Sequence, residues 1–203
     1  MTTAPWVYRH RFIVFGLLYA FSFFFGYLIA GVAGISTQPS YRTLGNREVL
    51  GAVALVCALG GFGLRVWASS YLSSAIVWHG DPRSGELRVS GPYRFTRNPL
   101  YLGNILQAIA IGLVAPWPVL VLVVIGMIAY SYVLIAIEER FLSTMQGETY
   151  ERYKRSVGRL VPIPGRIAPA GTQRASLADG LRAESVIGLL SLAVFAIVFL
   201  TWR

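Results

Sequence analysis

Residues 98–137 read NPLYLGNILQAIAIGLVAPWPVLVLVVIGMIAYSYVLIAI, forty residues without one charged side chain, opened by Asn98-Pro99 and divided by Ala115-Pro116-Trp117-Pro118. At 1.5 Å per residue this is about 60 Å of helix, twice the ~30 Å hydrocarbon core of a bilayer. Proline cannot continue a helix, so the chain is expected to turn at 115–118 and cross twice, as a hairpin over 99–137.

The same test carried outward finds three further apolar runs. Residues 12–35 carry no charge and are too long for the ~7–15-residue apolar region of a signal peptide. Residues 49–72 are interrupted only by Arg65, and residues 186–202 are apolar throughout. The expected fold class is therefore an all-α integral membrane protein of about five transmembrane helices. Composition agrees: of 203 residues 55% are hydrophobic and 13% charged, against roughly 25% charged in a soluble domain. The mean hydropathy is +0.59. A disordered chain would be polar and poor in aromatics. The lone Cys57 excludes an internal disulfide, and with only His10 and His79 beside it no metal site is expected.

The net charge is +9, from 18 Lys+Arg and 9 Asp+Glu. With the N-terminus placed in the cytoplasm, fourteen of those eighteen cations fall on cytoplasmic segments, a strong positive-inside bias. The polar segments 79–98 and 138–185 then both face the cytoplasm and flank the hairpin. The expected location is a bacterial inner membrane, with the N-terminus and a cofactor pocket on the cytoplasmic side. The organisation divides into N-terminal transmembrane helices (1–64), a core (65–162) and a Pro/Gly-rich linker with a last transmembrane helix (163–203). Ser176 with Asp179 has the spacing of an N-cap opening that last helix. No internal repeat favours an inverted-repeat transporter, and no nucleic-acid module accompanies the basic charge.

Two places carry candidate chemistry. Around Asn98-Pro99, an N-cap residue followed by proline at the first helical position, free backbone N–H groups suit an anion, reinforced by Arg94 and Arg97. Glu138-Glu139 is read as the end of the fourth span, where the helix dipole disfavours carboxylates and a cationic partner is expected. For Glu139 that partner is expected to be Arg140 or Arg65. Glu138, deeper in the span, is read as functional. Arg65 is either a structural partner for the glutamates or an anchor snorkelled to the interface. A helix N-terminus with arginines facing carboxylates suits a small zwitterion with an additional positive centre. S-adenosylmethionine is one such molecule, and spacing alone does not select it over others. The stretch 147–162 is amphipathic, with Tyr150, Tyr153 and Val157 on one helical face and a basic face opposite. It suits a helix lying on anionic lipid, or a lid over the pocket.

These blocks match a family pattern. Gly91-Pro92-Tyr93, Arg97-Asn98-Pro99-Leu100-Tyr101-Leu102-Gly103, a two-span hairpin, Glu138-Glu139, then Gly147, Tyr150, Tyr153, Val157, Arg159 and Pro162 resemble the isoprenylcysteine carboxyl methyltransferase family. The related phospholipid N-methyltransferases share the general pattern. The resemblance covers about residues 65–162 and implies a membrane-embedded methyltransferase that uses S-adenosyl-L-methionine, with a lipophilic substrate entering from the bilayer. Its acceptor group is a carboxylate, an amine or a thiol. Carried over, the cofactor contacts are His79, Leu87, Arg88, Val89, Tyr93, Asn98, Pro99, Leu100, Tyr101 and Glu138. Arg97 is expected to orient an anionic group, and Glu138 to hold the cationic cofactor. The family commonly has His where Asn98 stands, and Asn does not titrate near neutrality. Eukaryotic members carry a substrate-contacting arginine one turn before the first glutamate, where this chain has Leu134. Two other readings remain: an NADPH-dependent membrane reductase of the sterol type, which would need a stronger phosphate-binding cluster, and a non-catalytic lipid-binding protein.

Overall fold

The computed structural model describes residues 6–72 and 87–201, and among these the regular structure is helical. A short helix α1 (Trp6–Arg9) is followed by α2 (Arg11–Val32), a single turn α3 (Ser40–Thr43) and α4 (Arg47–Ser69). A 3₁₀ turn over Gly91–Arg94 precedes α5 (Pro99–Leu113) and α6 (Trp117–Gln146). Then come α7 (Glu148–Ser156), α8 (Leu177–Ala183) and α9 (Ser185–Thr201). Proline sets the hairpin as expected: α5 starts at Pro99, and the turn lies between Leu113 and Trp117.

The hairpin divides unevenly. Helix α5 has 15 residues and α6 has 30, about 22 and 45 Å. Three helices, Arg11–Val32, Arg47–Ser69 and Trp117–Gln146, are long and apolar enough to cross a membrane. A fourth crossing is reached if α8 and α9, bent by 66°, are counted together. All five expected apolar segments are thus helical, with α5 shorter than a full crossing. Helix α6 also corrects the expected position of the glutamates. Nothing from Arg140 to Gln146 breaks a helix, so α6 runs two turns past Glu138 and ends where Gly147 adopts φ +51°. The argument from a helix C-terminus therefore does not apply to Glu138 and Glu139.

The chain forms two compact units. One comprises Phe12–Phe62, Gly103–Tyr130 and Val186–Arg203. Its interior is made of Tyr41, Ala54, Ala58, Ala110, Leu113, Val194 and Val198. Large side chains such as Phe21, Phe24, Leu28 and Val32 are exposed instead. Small residues inside and large apolar ones outside is the arrangement of helices packed in lipid, where burial of apolar groups does not drive association and close backbone approach does. Gly61 lies against α5, where an added Cβ would be 3.0 Å from the Gly103 carbonyl. Gln107 spans the same contact, its Nε2 donating to the Ala58 carbonyl at 2.8 Å and to Ser191 Oγ at 2.9 Å. The hairpin turn is pinned by Ser40, whose N–H and hydroxyl both donate to the Ala115 carbonyl, at 2.7 and 2.6 Å.

The other unit comprises Met1–Arg11, Gly63–Leu102 and Ser131–Ser185. The Pro/Gly-rich segment is bound along its length rather than free. Arg94 and Ala168 exchange hydrogen bonds, the Ala168 N–H to the Arg94 carbonyl and Arg94 Nε to the Ala168 carbonyl, both at 3.0 Å. Gln173 accepts from Ser90 Oγ at 2.7 Å, and the Ser176 N–H donates to the Ser70 carbonyl at 2.7 Å. Ser176 is an N-cap as its spacing predicts, accepting from the Asp179 N–H at 3.4 Å, but the helix it opens is the short α8 and not the last helix, which begins at Ser185.

Two glycines of α2 test the packing argument. A Cβ on Gly26 would stand 2.8 Å from the Val119 backbone, whereas Gly16 has nothing within 4 Å. Gly26→Ala is expected to lower thermal stability in detergent by about 1–3 kcal/mol, the usual cost of overpacking. Gly16→Ala should leave it unchanged or raised, as a helical alanine allows.

Candidate active site

Consecutive residues on an α-helix point about 100° apart, so Glu138 and Glu139 on α6 meet different surroundings. Glu139 is buried and doubly paired. Its Oε1 accepts from Arg97 Nε at 2.9 Å and from Arg97 NH2 at 2.8 Å, and its Oε2 accepts from Arg159 NH2 at 2.6 Å. The other terminal nitrogen of Arg97 donates to the carbonyls of Lys154 and Val157, at 2.8 and 2.7 Å. One guanidinium thereby joins α6, the end of α7 and the loop before α5.

That loop is held by the segment after α7. The Arg97 N–H donates to the Gly158 carbonyl at 2.9 Å, and Thr96 pairs with Gly158 as an isolated parallel bridge. Thr96 Oγ1 donates to the Leu160 carbonyl at 2.8 Å, and Asn98 Nδ2 to the Arg159 carbonyl at 2.8 Å. Tyr153 Oη donates to the Tyr93 carbonyl at 2.6 Å. Burial pushes the phenols of Tyr93, Tyr150 and Tyr153 upward; Tyr153 adds to this at Tyr93, as Glu139 does at Tyr150. All three stay neutral donors in the physiological range. Helix α7 is shorter than the amphipathic stretch: Tyr150 and Tyr153 are buried on it, but Val157 lies beyond it in extended backbone.

Glu138 makes no ion pair among the described residues, although the charge of Arg11, which lies on the Tyr8 ring, acts on it. Its Oε1 accepts two phenolic hydroxyls, Tyr8 Oη at 2.7 Å and Tyr101 Oη at 2.8 Å. No hydrogen bond is made to Oε2 among the described residues, and the side chain is only partly buried. Two hydroxyls orient this carboxylate through one of its oxygens. It can receive a cation on the open oxygen.

The expected contacts distribute as follows. Tyr93, Pro99, Leu100 and Tyr101 lie in the same unit as Glu138, on the 3₁₀ turn and the first turn of α5. Leu87, Arg88 and Val89 lead into that turn, with Leu87 and Val89 packed on the Tyr150–Tyr153 cluster. Arg88 Nε is buried without a hydrogen-bond partner among the described residues. His79 lies outside the described residues. Arg97 does not face Glu138 as expected, because its nitrogens are engaged by Glu139 and by two carbonyls, and Arg94 is turned to Ala168. Asn98 directs its amide to the Arg159 carbonyl, holding the loop. Arg65 pairs with neither expected glutamate. Its Nε donates to Glu184 Oε2 at 2.6 Å, and Ser69 Oγ donates to Glu184 Oε1 at 2.6 Å. Arg65 NH1 also donates to the Leu100 carbonyl at 3.3 Å, which ties this buried pair to the first turn of α5. Tyr8 and Glu184 were not anticipated. For Glu184 a signal exists, since a buried Arg65 needs a counter-charge and the chain has only nine acids to supply it.

The family model described as phospholipid methyltransferase matches residues 47–149. The chain belongs to this phospholipid methyltransferase family. The family includes the isoprenylcysteine carboxyl methyltransferases, in agreement with the resemblance read from the motifs. Membership supports a membrane methyltransferase. No curated protein and no solved structure matches the chain significantly. The family segment carries Arg97, Tyr101, Glu138 and Glu139, whereas Tyr8, Arg159 and Glu184 lie outside it.

The Glu139 cluster makes a stability prediction. The Arg97 side chain is 9% exposed and that of Arg159 50%. Arg97→Met leaves Glu139 buried beside one half-solvated partner, and should cost about 3–5 kcal/mol of stability, the range for breaking a buried pair. Arg159→Met should cost about 1 kcal/mol or less. Thermal unfolding of both variants in one detergent checks the order.

Proposed function

We propose that this chain is a membrane-embedded, S-adenosylmethionine-dependent methyltransferase acting on a lipophilic acceptor, with Glu138 as the residue that receives the positively charged cofactor. The observation that carries the reading is the Glu138 carboxylate: ionisable, oriented by two tyrosine hydroxyls on one oxygen and open at the other, in a chain of a methyltransferase family.

The residues present fit the cofactor. A zwitterion with a sulfonium needs an anion and a cation from the protein. Glu138 would supply the first, and Arg88 Nε, without a partner among the described residues and in a segment leading to Tyr93, suits the cofactor's carboxylate. When bound, the cofactor supplies an electrophilic methyl group. The protein's part is to hold that group in line with the acceptor, about 3–3.5 Å away, and to keep water out. The attraction of Glu138 would be to the cationic form of the cofactor, before transfer. Glu138 therefore contributes to binding and orientation, and little to lowering the barrier. A carboxylate acceptor attacks as it stands, whereas an amine first has to lose a proton.

Arg94 and Arg97, which a pyrophosphate would require, are engaged by Ala168 and Glu139, so the NADPH reading has less support. The proposed orientation, with N-terminus and site on the cytoplasmic side, rests on the distribution of Lys and Arg.

Calorimetry on the detergent-purified chain tests the reading. S-adenosylmethionine should bind, and Glu138→Gln should weaken it by about tenfold or more, ~1.4 kcal/mol. The neutral product S-adenosylhomocysteine should change far less. Absence of S-adenosylmethionine binding to folded wild-type protein, or a shift on addition of NADPH instead, would overturn it.

A further inference from the structure

Tyr8 reaches Glu138 from 130 residues away in sequence. It sits on α1, close to the chain start, where segments fray unless something holds them. Here it is held: Tyr8 is 5% exposed. The Arg11 guanidinium lies over its ring at 4.8 Å, and Arg11 NH1 donates to the Tyr8 carbonyl at 3.4 Å. Both Tyr8 and Tyr101 donate to Oε1 of Glu138, so together they fix the carboxylate's rotation and leave Oε2 open. Tyr101 comes from the family segment and Tyr8 from outside it.

We infer that Tyr8 is a positioning residue for the cation-binding carboxylate: the N-terminal segment completes the site by clamping Glu138 Oε1, so that Oε2 faces the sulfonium of the ligand. This rests on the reading of Glu138 as the cofactor's partner. The ring packs against Arg11, whereas the hydroxyl serves Glu138, and the two parts of the side chain are separable. Tyr8→Phe keeps the ring and removes only the donor. With one donor left, Glu138 is free to rotate about its terminal bond, and a ligand must order it on binding.

The test uses the full chain in detergent, with S-adenosylmethionine and S-adenosylhomocysteine as probes. Tyr8→Phe is expected to weaken S-adenosylmethionine about three- to tenfold, the scale of one ordinary hydrogen bond. Binding of S-adenosylhomocysteine and the melting temperature without ligand should stay at wild-type values. In a Glu138→Gln background, Tyr8→Phe should have no further effect, because its action passes through that carboxylate. Unchanged S-adenosylmethionine affinity in Tyr8→Phe overturns the inference while leaving the reading of Glu138 standing. Equal loss for both probes, or an additive loss in the double variant, overturns it in favour of a structural role. No wild-type binding of S-adenosylmethionine overturns the reading of Glu138 and this inference with it.

Discussion

The chemistry of the site depends on the 100° step between Glu138 and Glu139. Two adjacent carboxylates in a mostly apolar helix would repel and each would resist ionisation. The helix turns them toward different partners. Glu139 takes two arginines and is locked into the scaffold. Glu138 takes two tyrosine hydroxyls on one oxygen and has no ion-pair partner among the described residues. Arginines at both positions would neutralise both, and no anionic point would remain for a ligand.

The Arg97–Glu139–Arg159 cluster also determines where the loop before α5 lies. The Arg97 backbone is paired with Gly158, and its side chain closes on the carbonyls at 154 and 157 as well as on Glu139. Tyr101 is four residues further on, one turn into α5, and its hydroxyl meets Glu138. The order along the chain is therefore loop, helix start, then the tyrosine that holds Glu138. A second buried pair, Arg65 with Glu184, contacts the same helix start through the Leu100 carbonyl. The start of α5 is thus braced by two separate charge clusters, one through the preceding loop at Arg97 and one on the Leu100 carbonyl. This is the rigidity expected beneath a group that must be placed to a fraction of an ångström.

Much of this was legible in the sequence, for identifiable reasons. Proline marks the start of α5 at Pro99 and the turn at 115–118 because it acts locally, on its own φ and N–H. The apolar runs declared helices because each is set by composition over a window. Glu138 stood out because charge is scarce in the apolar run it ends. What escaped was nonlocal or unmarked. Helix α6 continues to Gln146 because no residue before Gly147 opposes helix, and polarity alone was mistaken for an end. Arg65 finds Glu184 across 119 residues, and the pairing of Arg97 with Glu139 rather than with a ligand follows from the fold of the loop. Tyr8 has no local pattern around it: a single tyrosine near a chain start becomes part of a site only through a contact that no spacing rule encodes.

Tyrosine suits the Glu138 position for a further reason. A cationic cofactor that becomes a neutral product must be held before transfer and released after it. A carboxylate oriented by neutral hydroxyls binds the sulfonium through charge and has little hold on the thioether that remains. Glu138 would thus hold the cationic form more strongly than the neutral one. An arginine in place of either tyrosine would repel the sulfonium and remove this difference between reactant and product. On the proposed reading, the choice of donors around one oxygen of Glu138 sets both cofactor affinity and product release.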